Sequence, residues 1–295
     1  MPTDEITSQS LSPRCLRCMV SGYLDKAPDE VPWRTRAEYM RRVLRTVADG
    51  SETMTAPEVS HELKGILREM FGIDGDLSAE KRHFNELMLG MEHGLQARID
   101  ESDDPLDLAI RYAMVGNFID FGPTGDVSES RLLELMGEAP AMSLDAEALA
   151  DLKRRIMSAR TIAYLTDNCG EVVLDKLLMR EIARVNPRVL VTAVVRGAPV
   201  SNDATMEDAV QVGLDRLARV LPNGSDVAGT CPGRISEEAR LAIGTADLVI
   251  SKGLANYETL SGRGSNTYFL FLCKCELYVE AFGVPLHTGM VVRGV

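Results

Sequence analysis

Three strings in the 295-residue sequence end an apolar run on side chains that can hold ions. They are "YLTDNCGE" with Asp167, Asn168 and Glu171, "VVRGAPVSNDAT" with Asn202 and Asp203, and "VISKGLANYE" with Lys252, Gly253, Asn256 and Glu258. Carboxylate and amide oxygens are hard ligands. Asp167, Asn168 and Asp203 therefore suit magnesium or manganese, which need few protein ligands when waters and a substrate phosphate complete the shell. Lys252 offers a compact ammonium against phosphate charge, and Gly253 lets the backbone approach closely. Taken singly, each string has an ordinary alternative: Asp and Asn cap helices, and Ser-Lys-Gly can be a turn with a solvated charge. Their conjunction favours a site.

A site of this kind needs elements that bring the strings together. After residue 160 the sequence alternates Val-, Ile- and Leu-rich runs ("TIAYLT", "RVLVTAVV", "RLARVL", "DLVIS", "TYFLFL", "MVVRGV") with helical stretches. That alternation predicts βα units and a mostly parallel sheet, whose strand ends gather along one ligand-binding edge. Helices expected near Gly170 and Ala204 would add their positive ends and free N–H groups to anion binding. From about residue 36 to 158 the periodicity is helical, with Gly50 closing one segment, Pro105 opening another and Ser143 a plausible cap for "SLDAEALADLKRRIMSA". The expected organisation is a helical N-terminal domain over 1–158 and an α/β metal- and phosphate-binding domain over 159–295.

Composition narrows the class. With 45% hydrophobic and 26% charged residues the chain is an ordinary globular one. Its 44 acidic against 32 basic residues give a formal net charge of -12, which disfavours nucleic acid and anionic membranes as partners. No apolar run approaches the roughly 20 residues of a membrane span, and "MPTDEITSQSLSP" lacks the features of a leader, so a cytoplasmic protein is expected. The oligomeric state is left open.

The same strings carry a family resemblance. "YLTDNCGEVVLDKLL", "VVRGAPVSNDATMEDA", "SKGLANYETL" and "LCKCE", with "RCLRC" and "DPLDLAIRYAMVGNFIDFG" upstream, resemble in order and spacing the domain of unknown function 89 family, the damage-control phosphatases. "RCLRC" is similar to the subgroup with an N-terminal CxxC. The resemblance implies a Rossmann-like three-layer sandwich preceded by helices. It also implies a metal-dependent phosphatase, using manganese, magnesium, cobalt or nickel, that acts on small phosphorylated metabolites such as sugar phosphates or damaged phosphometabolites. By that pattern Asp167, Asn168 and Asp203 would be the metal ligands. Lys252, Gly253, Asn256 and Glu258, with Asn117 and Asp120 from "GNFID", would line the substrate pocket. Asp203 or Glu171 would orient or deprotonate the attacking water while Lys252 stabilises the phosphoryl group. One departure is Cys169, where a small residue, often alanine, is expected; a buried thiol is the natural role.

Other readings were weighed on the residues. Cys15, Cys18, Cys273 and Cys275 could make a structural zinc site, although a single CxxC with a CxC is an unusual set and reduced thiols are the default. His61, His83, His93 and His287 show no ligand spacing. Dinucleotide binding would want GxGxxG after the first strand, where only Gly170 stands, and no P-loop string occurs. An S-adenosylmethionine-dependent carboxyl methyltransferase is the rival enzyme, and a non-enzymatic metal-binding protein the rival of another class.

Overall fold

The computed structural model describes residues 11–50, 52, 54–119 and 128–294; Asp120 lies outside the described residues. The chain divides into two compact units between Asp76 and Leu77. The first contains α1 (Pro13–Leu24), α2 (Trp33–Gly50) and α3 (Ala56–Phe71). Tyr39, Val43 and Val47 recur along one face of α2 and are buried with Val59, Leu63, Ile66 and Leu67 of α3. Pro57 and a Thr55/Glu58 capping box start α3, and Gly72, in the left-handed region, stops it.

The second unit is a layered α/β structure. Its helices before the sheet are α4 (Ser78–Asp100), α5 (Pro105–Gly116), α6 (Glu129–Glu138) and α7 (Ala146–Ser158). Then come β1 (Thr161–Leu165), α8 (Glu171–Val185), β2 (Leu190–Val195), α9 (Met206–Gln211) and β3 (Arg219–Pro222). The chain ends with α10 (Glu237–Gly244), β4 (Leu248–Lys252), α11 (Leu254–Leu260), β5 (Thr267–Leu272), α12 (Glu276–Phe282) and β6 (Gly289–Arg293). The sheet order is β3-β2-β1-β4-β5-β6. All pairs are parallel except β5 with β6. The mostly parallel sheet expected from the sequence is therefore present.

Both faces of the sheet are covered, so its strands read as continuous apolar runs. Side chains alternate between the layers. Ile162, Tyr164, Leu248, Ile250, Tyr268 and Leu270 join a core built with α4 to α9, while Ala163, Leu165, Val249, Phe269 and Phe271 join one with α11 and α12. The segment α4 to α7 shares its core with the sheet, so the change of character near residue 158 marks a change of element type within one packed unit. The last of these helices is capped by Asp145, which accepts from the Ala148 N–H, rather than by Ser143.

In this strand order β1 lies between β2 and β4, so the chain leaves β1 in one direction and β4 in the other. Such a reversal opens a crevice beyond the carboxyl ends of the two strands. Asp167 follows β1, and Lys252 and Gly253 end β4. A cavity of about 670 Å³ lined by Thr161, Val191 and Arg219 opens at the opposite ends of the strands, away from these residues.

Candidate active site

The two acidic strings are joined by backbone pairing. Beyond β1 and β2 the Ala204 N–H donates to the Asp167 carbonyl at 2.7 Å and the Cys169 N–H to the Asn202 carbonyl at 2.8 Å. These bonds make an antiparallel bridge of Asn168 with Asp203. The side chains are not helix caps. A Thr205/Asp208 capping box starts α9, and Gly170 precedes α8 with φ +68. A Cβ at Gly170 would lie 2.9 Å from Ile119 Cδ1 and 3.2 Å from Phe84 Cβ, so the turn into α8 requires glycine. Cys169 is fully buried, and burial raises its pKa well above the ordinary thiol value, which makes it a protonated packing group.

Around this bridge the polar side chains form one network. Asp167 Oδ2 accepts from Asn117 Nδ2 at 2.9 Å and from Asn168 Nδ2 at 2.8 Å. Glu171 Oε2 accepts from the same two amides at 3.2 and 3.0 Å. Because the Asn168 nitrogen is spent on two carboxylates, its amide oxygen is the atom left to act as a ligand. Asn117, placed by the end of α5, also accepts the Leu272 N–H at 3.1 Å and so ties β5 to the β1 end.

Lys252 is fully buried, and its ammonium is committed. Nζ donates to Glu171 Oε1 at 2.6 Å, Asp175 Oδ1 at 2.8 Å and the Ala113 carbonyl at 2.8 Å, which uses all three donors. Tyr164 donates to Asp175 at 2.7 Å. Burial raises the Asp175 pKa to about 6, with Lys252 acting against the rise and Glu171 adding to it. Burial alone would lower the Lys252 pKa, but the charges of Asp175 and Glu171 outweigh it and hold Lys252 above its ordinary value. Thus Lys252 comes together with Glu171, beneath the acidic bridge.

Gly253 has φ +81, and a Cβ there would fall 1.9 Å from Asp167 Oδ2. The end of β4 therefore lies directly against the Asp167 carboxylate. Asn256 is also fully buried: its amide donates to the Lys252 carbonyl at 2.7 Å and the Thr166 carbonyl at 3.2 Å, and its oxygen accepts from Thr230 at 2.7 Å. It fastens the ends of β1 and β4 to each other. Glu258 is half-buried on the same helix, α11.

Sequence reasoning assigned no role to several residues that the fold places here. Arg196, directly after β2, is 1% exposed; its Nε donates to Asp203 Oδ2 at 2.5 Å and its Nη2 lies 3.7 Å from Asp167 Oδ1. Lys274 Nζ donates to the Asn117 carbonyl at 2.5 Å. From α4, Asn85 accepts the Gly170 N–H at 2.6 Å and donates to Asp208 at 2.9 Å, while Lys81 pairs with Asp208 at 2.6 Å. This α4 brace links the turn after β1 to the turn after β2. The only available signal was that Arg196, Lys274 and Asp208 sit inside the strings that carry the family resemblance.

Residues 11–289 match a family model described as the damage-control phosphatase ARMT1-like domain. The chain belongs to that family. A damage-control phosphatase of Archaeoglobus fulgidus is 35% identical over 219 residues, covering 73% of this chain and 75% of the relative. An uncharacterized protein of Methanocaldococcus jannaschii is 26% identical over 97% of this chain and 96% of its own length. A crystal structure of a DUF89 family protein from Pyrococcus horikoshii superposes with a TM-score of 0.78 at 26% identity, covering 97% of this chain and 99% of that one. The family expectation and the expected fold class are both upheld.

The residues present fit a hard divalent cation. Asn168 and Asp203 pair across the bridge, the Asn168 amide nitrogen bonds Asp167, and Arg196 adjoins both Asp203 and Asp167, so two carboxylates and one amide lie beside the strand-order reversal. Among the described residues no three His, Cys, Asp or Glu side chains converge as a ready-made metal cage. A set of two carboxylates and one amide is the sparse kind that magnesium or manganese accepts when waters and substrate supply the remaining oxygens. Of the four cysteines weighed for a zinc site against the default of reduced thiols, Cys15 and Cys18 lie on α1 in the first unit and Cys273 and Cys275 in the second, all as thiols. Burial, then the neighbouring Cys275, pushes the Cys273 thiol up to about 11. No helix among the described residues is long and apolar enough to cross a membrane.

Proposed function

We propose that this chain is a metal-dependent phosphatase that hydrolyses phosphate esters of small metabolites, sugar phosphates or damaged phosphometabolites. The observation that carries this reading is the Asn168–Asp203 bridge, which brings three hard oxygen donors to the edge where open α/β sheets bind ligands. The relatives named damage-control phosphatases support the reaction class.

Asp167, Asn168 and Asp203 would hold magnesium, manganese, cobalt or nickel. When bound, the metal supplies Lewis-acid stabilisation of phosphoryl charge. The chain's own groups do the rest. Asp167 and Glu171 take the Asn168 amide nitrogen, so that its oxygen would be the atom offered to the metal. Glu171 has Lys252 on one oxygen and two amides on the other, which leaves Asp203 as the carboxylate to orient the attacking water. Lys252, with every donor spent inside the protein, acts on the site through Glu171. Burial of the cluster excludes bulk water and strengthens each of these interactions.

The test is hydrolysis of para-nitrophenyl phosphate and a panel of sugar phosphates after EDTA treatment, with each metal returned in turn. Turnover should depend on the added metal and fall more than about 100-fold in Asp167→Ala and Asp203→Ala, with circular dichroism unchanged. Full activity in both variants would refute the ligand assignment.

A further inference from the structure

A buried cation beside a metal site is normally neutralised by hydrogen bonds on all its donors, as Lys252 is. Arg196 is the exception. Its Nε is satisfied by Asp203, but Nη1 and Nη2 are buried and have no hydrogen-bond partner among the described residues. The two nitrogens carry four N–H groups in a planar fork. Leaving charged donors buried and unmet carries the full cost of their desolvation, so the arrangement calls for an acceptor. The position says which acceptor fits: the guanidinium touches Asp203 and lies 3.7 Å from Asp167, so it sits against both carboxylates of the acidic bridge.

We propose that the Nη1 and Nη2 donors of Arg196 bind the phosphoryl oxygens of the substrate and couple phosphate binding to metal binding. The inference rests on the phosphatase reading and names the residue that recognises the phosphate. Two features of the geometry converge on it. A guanidinium fork matches two oxygens of a phosphate, which a lysine at the same place would meet only as a point charge. Moreover, any cation held by Asp167 and Asp203 is repelled by the guanidinium that already pairs with them. A phosphate dianion relieves that repulsion, so metal and phosphate should bind better together than either does alone. By linkage the coupling is reciprocal. A guanidinium serving only as the counter-ion of Asp203 would add nothing to the coupling that phosphate contact with the metal itself supplies.

The experiment is calorimetry on the full chain with manganese alone, inorganic phosphate alone, and phosphate at saturating manganese, for the wild type, Arg196→Gln and Arg196→Lys. In the wild type, manganese should tighten phosphate binding at least tenfold. Arg196→Gln should cut that enhancement back to what the metal's own contact with phosphate supplies, while binding manganese alone as tightly as the wild type or more so. Arg196→Lys, which keeps the buried charge opposite Asp203, guards against misfolding; it should retain manganese binding and weaken phosphate about tenfold. Unchanged phosphate affinity in both variants, with a wild type that binds metal and phosphate, overturns the Arg196 assignment alone. A wild type that binds none of manganese, magnesium, cobalt and nickel overturns the phosphatase reading, and this inference with it.

Discussion

Replacing Lys252 with methionine separates two roles that a lysine at a strand end can have. In the structure its ammonium serves two carboxylates, Glu171 and Asp175, and all three side chains are 0% exposed. Removing one partner of a buried ion pair costs about 3–5 kcal/mol, because the remaining charge loses its compensation. Here two carboxylates are left facing each other, with the Tyr164 hydroxyl and two amides as their remaining donors. In a chain of this size each kcal/mol shifts the unfolding midpoint by about 2–4 °C, so Lys252→Met should melt about 10 °C lower at pH 7.5. The deficit should shrink at pH 5. Lys252 is what opposes the upward shift of Asp175, so without it the carboxyl takes up a proton at still higher pH and the repulsion with Glu171 disappears. Thermal unfolding in EDTA at both pH values measures this directly. A variant whose midpoint stays within about 1 °C of wild type at pH 7.5, with phosphate binding weakened, would refute the buried-network account and return Lys252 to a phosphate-facing role.

Two more outcomes follow from the same geometry. Asp175 titrates near 6 in the folded chain against an ordinary 3.8, so its contribution to stability is fully present below the unfolded value and is lost as pH rises through about 6. At 1.36 kcal/mol per pH unit the loss is about 3 kcal/mol, and Asp175→Asn should flatten the stability profile between roughly pH 4 and 6.5 while leaving Lys252 balanced by Glu171; an unchanged slope in urea unfolding would count against it. Gly253→Ala should displace the Asp167 carboxylate, since its Cβ would fall 1.9 Å from Oδ2 and its φ of +81 is strained for alanine. Manganese affinity by titration should weaken at least about tenfold, and unaltered affinity would show that Asp167 is not a ligand.

The strands were legible because the two faces of a covered parallel sheet demand unbroken apolar runs, and each of the six runs named from the sequence overlaps a strand. The acidic strings were legible for a related reason: Asp-Asn and Asn-Asp at the ends of such runs must lie at the sheet edge. What the sequence could not show is which cation meets which anion. Lys252 ends β4 and Arg196 follows β2, yet Lys252 is satisfied by Ala113 of α5 and by Glu171 and Asp175 of α8, while Arg196 reaches Asp203 with one nitrogen only. Those partners are set by the packing of distant elements. Asn85 was hidden likewise, because its role depends on α4 crossing the turns after both β1 and β2.

The path from Lys252 to the ligand set explains why an acidic site contains so deeply buried a lysine. A primary amide can present either its oxygen or its nitrogen, and only the oxygen binds a hard cation. Asp167 and Glu171 together decide the matter by drawing the Asn168 nitrogen toward themselves. Glu171 is fully buried, and its other oxygen accepts from the Lys252 ammonium. That 2.6 Å contact holds the Glu171 carboxylate in place with its second oxygen toward the Asn168 amide. The lysine thus fixes the orientation of an amide it never touches, and Glu171→Gln should free the Asn168 side chain to turn.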